Sequence, residues 1–108
     1  MNINERMAIE VMGWEKDLLG QVRWIMSRNK DRGYIDEYML LSEWHPDTDI
    51  GQAMMCAEKS GLEMHIHIGD YHGIPYVVEE YSKEFDRSCN TIEEVSLAIC
   101  EAILEAME

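Results

Sequence analysis

The sequence predicts an α+β fold: a small antiparallel sheet with helices packed on it, an α/β/α sandwich in the order helix, hairpin, helix, hairpin, helix. Three observations carry this. Ile50, Ala53, Met54 and Ala57 recur at helical spacing behind a run of cap-forming residues, and Ile92 to Met107 does the same behind Thr91. Leu62 to Ile68 alternates apolar and polar residues, as a half-buried strand does. The polar stretch Asn29 to Gly33 separates two short runs of strand-like composition.

Residues 3 to 12 are expected to form a short helix. Asn2, followed three residues later by Glu5, has the form of a capping box with asparagine in the cap. Met7, Val11 and Met12 are placed toward the core, with Ile3 near the entry. Gly13 ends the helix, and Trp14 is expected to fold back on it. In residues 15 to 43, Val22, Trp24 and Met26 alternate with Gln21, Arg23 and Ser27 nearby, which reads as a strand. Ile35, Tyr38, Met39 and Leu41 fit a strand or a helical turn, and a hairpin is the reading adopted for this region.

The stretch from Trp44 to Gly61 organises the middle of the chain. Pro46 disfavours helix at His45. Asp47, Thr48 and Asp49 supply oxygens for the orphan N–H groups of the first turn, and Gly61 is the left-handed terminator. The plain reading of the two aspartates is capping; the second is a helix N-terminus that also meets a ligand. After the strand at Leu62 to Ile68, Gly69, Asp70 and Gly73 mark a turn, and Ile74 to Tyr81 returns as the partner strand. Pro75 sets the start of that strand at an edge or a turn. Lys83 to Asn90 reads as a polar connection. In the last helix Thr91 and Glu94 make a second capping box. Its stripe is Val95, Ile99, Ala102, Ile103 and Ala106, widened by Leu97, Cys100 and Leu104.

With 108 residues the chain is expected to be a single domain, 1–108, with one core. A net charge of −13 argues against DNA, RNA or an anionic membrane as partner, because binding to those is driven by neutralising phosphates. The N-terminal segment has charges inside an amphipathic pattern and is not read as a signal peptide. Cys56, Cys89 and Cys100 form no CxxC pair and read as reduced thiols, which points to a cytoplasmic protein. Cys56 and Cys100 fall near apolar helix faces; Cys89 falls in the polar connection beside Arg87. The methionines Met54, Met55 and Met64 read as core gap-fillers, or otherwise as an adaptable oligomer surface.

Two constellations carry possible chemistry. Arg23, Arg28, Lys30 and Arg32 lie within ten positions, with Trp24 among them and Tyr34 just after. Guanidinium groups match phosphate oxygens and an aromatic face stacks a base, so the island reads as part of an anionic ligand pocket. The competing reading is a solvated hairpin turn with its charges paired to Asp31 and Asp36. The second constellation is His65 and His67, two apart in a strand and so on one face, with Glu63 before them and His72 in the turn. They read as a polar strand face or pocket wall that hydrogen-bonds a ligand. A metal site needs a third ligand that spacing does not supply, so neither a metal nor a cofactor is assigned. No GxSxG, P-loop or GxGxxG occurs, and no catalytic residue is assigned.

Three stretches, in order, resemble the phage ABA sandwich family of small phage and prophage proteins. They are Val11-Met12-Gly13-Trp14; Thr48-Asp49-Ile50 with Ala53 and Glu58-Lys59; and Leu97-Ala98-Ile99-Cys100 with Ala102 and Leu104. The chain departs from the family pattern at Met54, where a tryptophan is usual, and at Ser96, where a proline is often seen. Residues 15 to 43 also look longer than usual. The resemblance implies a helix–sheet–helix sandwich, a phage accessory role in the host bacterial cytoplasm and no catalytic residues. In outline such a protein is similar to unrelated small phage proteins that sequester nucleotide immune signals, which is an analogy. The expected function is therefore non-enzymatic: binding a small nucleotide-derived ligand, as a homodimer or higher oligomer, to blunt host defence. The alternative is an acidic phage protein that binds a host protein without a small ligand. A weaker third reading is a metal-dependent nucleotide hydrolase built on the histidines.

Overall fold

The computed structural model describes residues 1–17 and 22–108, without the side chains of Asp70 and Tyr71. Gln21, placed above in a strand pattern, lies outside the described residues. The fold is α+β in the expected order of helix, strands, helix, strands, helix. Each expected hairpin has a third strand, giving two small antiparallel sheets. The chain divides into two compact units, Met1–His45 and Pro46–Glu108. Among the described residues no helix is long and apolar enough to cross a membrane.

The first unit starts with α1, Ile3–Arg6, which continues as a π-type turn over Met7–Val11. Asn2 caps it: its side-chain oxygen accepts from the Glu5 N–H at 2.9 Å. The Glu5 carboxylate meets the Asn2 side-chain amide at 3.5 Å, so asparagine closes the box with its own side chain. The wider turn brings Met7 and Ala8 fully inside and leaves Val11 and Met12 half-buried. Gly13, at φ +74°, turns the chain so that the Trp14 N–H donates to the Ala8 carbonyl at 2.9 Å. Trp14 does fold back. Its ring meets Trp44 edge-on at 4.5 Å, and the Trp44 indole N–H donates to the Asn4 carbonyl at 2.8 Å.

The first sheet has the order β1 (Glu15–Asp17), β2 (Arg23–Arg28), β3 (Ile35–Leu40), followed by a 3-10 turn at Leu41–Glu43. The hairpin reading of this region holds. Its alternation is broken by a bulge between Ile25 and Ser27, so Trp24 and Ile25 are both buried, while Val22, at the start of the alternating run, is largely exposed. A bulge leaves one extra residue on its strand and re-aims the side chains around it.

The second unit holds α2 (Ile50–Ser60), β4 (Met64–Tyr71), β5 (Ile74–Glu80), β6 (Phe85–Cys89) and α3 (Ile92–Ala106). Its sheet order is β4-β5-β6. Asp49 caps α2 by accepting from the Gln52 N–H at 3.0 Å, and Gly61 ends it at φ +73°. Thr91 caps α3 by accepting from the Glu94 N–H at 3.1 Å, while the Glu94 carboxylate takes the Asn90 N–H at 2.9 Å. Ala53, Cys56 and Ala57 of α2 and Ala98, Cys100 and Ala102 of α3 are buried, and their small side chains let the two helices pack closely. Helix α3 also packs on β5 and β6, where Val78, Phe85 and Cys89 complete the core.

Five expectations are corrected here. Lys83 to Asn90 is not simply a polar connection: Phe85–Cys89 pairs with β5 as a strand. Met54 is 44% exposed, because the buried stripe of α2 runs through Ala53, Cys56 and Ala57. Met55 is likewise exposed and fills no core gap, and Leu97 lies outside the stripe of α3. The hairpin turn after β4 is at His72 and Gly73; Gly69 and Asp70 still belong to the strand.

Candidate functional site

The site is built on the face of the second sheet turned away from α3. Alternation sends Val78, Phe85 and Cys89 to the helices, so their neighbours Val77, Glu79, Asp86 and Ser88 point the other way. Strand register then groups them. His67 sits opposite Val77 and Val77 opposite Ser88; His65 sits opposite Glu79 and Glu79 opposite Asp86. A concave site of about 680 Å³ opens on this face, lined by His67, Glu79, Asp86 and Ser88 around Val77. Ile68, Gly69 and Ile74 form its end at the hairpin.

The polar groups of this face are linked. His67 Nε2 lies 3.2 Å from Oε2 of Glu79, and the Tyr81 hydroxyl donates to the same oxygen at 2.9 Å. The Tyr81 bond, then the His67 contact, hold the Glu79 carboxyl below the usual glutamate value, while the shared proton pushes the Tyr81 phenol up. His65 Nε2 lies 3.1 Å from Glu63 Oε1, and the His65 ring rests against Tyr81 with centroids 4.6 Å apart. Among the described residues no group of three or more His, Cys, Asp or Glu side chains is placed to hold a metal ion.

Glu80, next in the chain, has the opposite role. It is buried at 2% exposure and organises the β5–β6 turn. Burial pushes its carboxyl up, but bonds from the Ser82 hydroxyl at 2.7 Å, the Ser82 N–H at 2.9 Å and the Lys83 N–H outweigh it, and the net shift is downward. Cys89, expected in a loop, is a buried β6 residue whose thiol is pushed up by burial.

The basic island lies in the first unit and is partly occupied with its own surroundings. Arg23 Nε contacts Asp17 Oδ2 at 2.8 Å and its guanidinium lies over the Tyr38 ring at 4.8 Å. Arg28 donates to the Gly33 carbonyl at 3.0 Å and reaches Glu15 at 3.5 Å. The acidic partners are thus Asp17 and Glu15 of β1, where sequence spacing pointed to Asp31 and Asp36. Trp24, expected to offer a stacking face, is a core residue with 2% exposure, because the strand turns it inward. Lys30, Arg32 and Tyr34 are exposed in and beside a tight turn, in which the Asn29 side chain accepts from the Asp31 and Arg32 N–H groups.

A family model described as the phage ABA sandwich domain matches residues 5–104 of this chain. The chain belongs to the phage ABA sandwich family. The match spans both compact units, from α1 to α3. No curated protein and no solved structure matches it significantly. Of the family positions named above, Trp14, Ala53, Ala98, Ile99, Cys100, Ala102 and Leu104 are buried and Asp49 caps α2, whereas Glu58, Lys59 and Leu97 are exposed. The two departures fall on different surfaces. Met54 is exposed, whereas Ser96 is fully buried and satisfied by donating from its hydroxyl to the Ile92 carbonyl at 3.1 Å.

Of the residues singled out in the sequence, His67 lines the concave face and His65 stands two residues before it on the same strand, while Glu79, Asp86 and Ser88 were not singled out. Glu79 was legible in part, since it alternates with Val78 and Glu80. Asp86 and Ser88 were hidden because Arg87 occupies a helix-side position of β6. Its guanidinium lies 5.0 Å over the Phe85 ring and pairs with Glu101 at 3.0 Å, so a polar residue stands where alternation calls for an apolar one.

Proposed function

We propose that this phage ABA sandwich protein is a non-catalytic binder of a small nucleotide-derived ligand, retaining it and so blunting a host immune signal. The observation that carries the reading is the concave site on the open face of β4-β5-β6, with carboxylates, a hydroxyl and an imidazole around an apolar floor. Small-molecule sites have this make-up: an apolar wall for area and a few convergent polar groups for orientation. Glu79 and Asp86 accept hydrogen bonds, so they suit ribose hydroxyls and the amino group of a base. Val77, Ile68 and Ile74 offer the flat apolar contact a base needs. The acidic lining repels bare phosphate, and in this reading the nucleoside end of the ligand enters the site. Lys30 and Arg32, exposed in the first unit, are a separate candidate for a phosphate and are tested separately.

The test is native mass spectrometry of the protein purified from cells with an active nucleotide-signalling defence. An added mass of nucleotide size, released intact on denaturation, is the expected result. A protein that carries no small molecule and takes up none from a panel of nucleotide signals overturns the reading. A second reading, docking on a host protein without a small ligand, is favoured by the charge of −13 and by the exposed Met54 and Met55 on α2.

A further inference from the structure

Among the described residues the two sheets have four outer strands, and three of them are guarded. Strand β1 has three residues, all charged. Strand β3 carries Asp36 and Glu37, and β6 carries Asp86 and Arg87. Short length and charge are the usual ways by which a sheet edge avoids pairing with another chain. Strand β4 carries its one carboxylate, Asp70, beyond the register shift; its regular stretch, Met64 to Ile68, contains no charged residue and no proline. It ends at the register shift after Ile68, next to Gly69 at φ +132°. Ile68 at that end is 78% exposed.

We propose that β4 is the contact strand of a homodimer, pairing antiparallel with β4 of a second copy about a two-fold axis at Ile66. The stretch reads Met-His-Ile-His-Ile, and its polarity is the same from either end. An isologous interface requires such self-complementarity. With the axis at Ile66, Met64 faces Ile68 of the partner subunit and His65 faces the partner's His67. Every apolar side chain then falls on one face and every imidazole on the other. A second copy therefore meets this run in like-to-like register. Charge points the same way. Two copies at −13 each repel wherever their acidic surfaces meet, and this run brings no carboxylate of its own to the paired strands. His67 lines the concave site, so the partner's His65 becomes a neighbour of that site and the second copy adds a wall to it. The inference stands without the ligand reading.

Light scattering on the full chain after size-exclusion chromatography tests it. The expected mass is twice 12.6 kDa, falling to 12.6 kDa for Ile68→Lys and staying doubled for Leu97→Lys on α3. Ile68 is mostly in solvent, so its replacement leaves the core intact. Independently, Ile66→Cys is expected to cross-link to its counterpart on oxidation, since directly opposed strand residues have Cα atoms about 4.5–5.5 Å apart. A parent chain that stays monomeric at all concentrations, a dimer that survives Ile68→Lys, or an Ile66→Cys chain that does not cross-link overturns the proposal.

Discussion

Oε2 of Glu79 is shared by two groups: the Tyr81 hydroxyl donates to it at 2.9 Å, and His67 Nε2 lies 3.2 Å away. The carboxylate is therefore held ionised from two sides on the rim of the concave site. Tyr81→Phe removes the larger of the two effects. Its expected outcome is a rise of the Glu79 pKa toward the ordinary glutamate value, read by carboxyl-carbon NMR titration, with a smaller rise for His67→Ala. No rise in Tyr81→Phe would show that the hydroxyl is not bonded there in solution.

Glu79 and Glu80 also make folding depend on acid. Both carboxyls have folded-state values below the ordinary one. Between the two values the unfolded chain binds more protons, so stability rises with pH there. The contribution is fully present above the ordinary glutamate value and is lost as pH falls through the depressed one. Urea midpoints measured from neutral pH downward are expected to fall across that window, and Glu80→Gln is expected to flatten the curve. A Glu80→Gln profile parallel to that of the parent would remove Glu80 from this account.

The three thiols are expected to be inert in the folded protein. Burial pushes Cys56 up to about 12, pushes Cys100 up further, and raises Cys89 as well. The thiolate is the reactive form, and little of it is present at neutral pH. Thiol-reactive dye is expected to label none of the three in the native chain and all three in denaturant. Rapid native labelling at Cys89 would show that β6 opens readily.

Ligand uptake gives the functional prediction. Asp86→Asn and Glu79→Gln each convert a charged acceptor into a neutral one. Each is expected to weaken binding about tenfold, the size of one lost charge-assisted hydrogen bond. Arg28→Ala combined with Arg32→Ala tests the basic island in the same titration, and unchanged affinity there would remove the island from the ligand reading.

Legibility in the sequence followed distance along the chain. Asn2, Asp49 and Thr91 were all read as caps, and each accepts from the N–H three residues on. Such a bond closes within one turn, so composition and spacing are sufficient to see it. Trp14 folding back behind Gly13 is equally local. Trp24 was read as a stacking face and is core, because a strand residue faces in or out according to what lies beside its sheet, and a bulge at the next residues altered the alternation. Strand β6 was missed because Arg87 satisfies its inward position through Phe85 and Glu101, a partner fourteen residues away.

The sequence by itself determined the fold class, the order of elements, the helix ends and the family, because these rest on periodicity, caps and short motifs. Only the tertiary structure decided that each hairpin carries a third strand, that Trp24 is core, and that His67, Glu79, Asp86 and Ser88 share one concave face. Those groups meet through the register of three paired strands. Register is set by which faces are buried and how the turns close, and a shift of one residue would send every one of these side chains to the other side of the sheet.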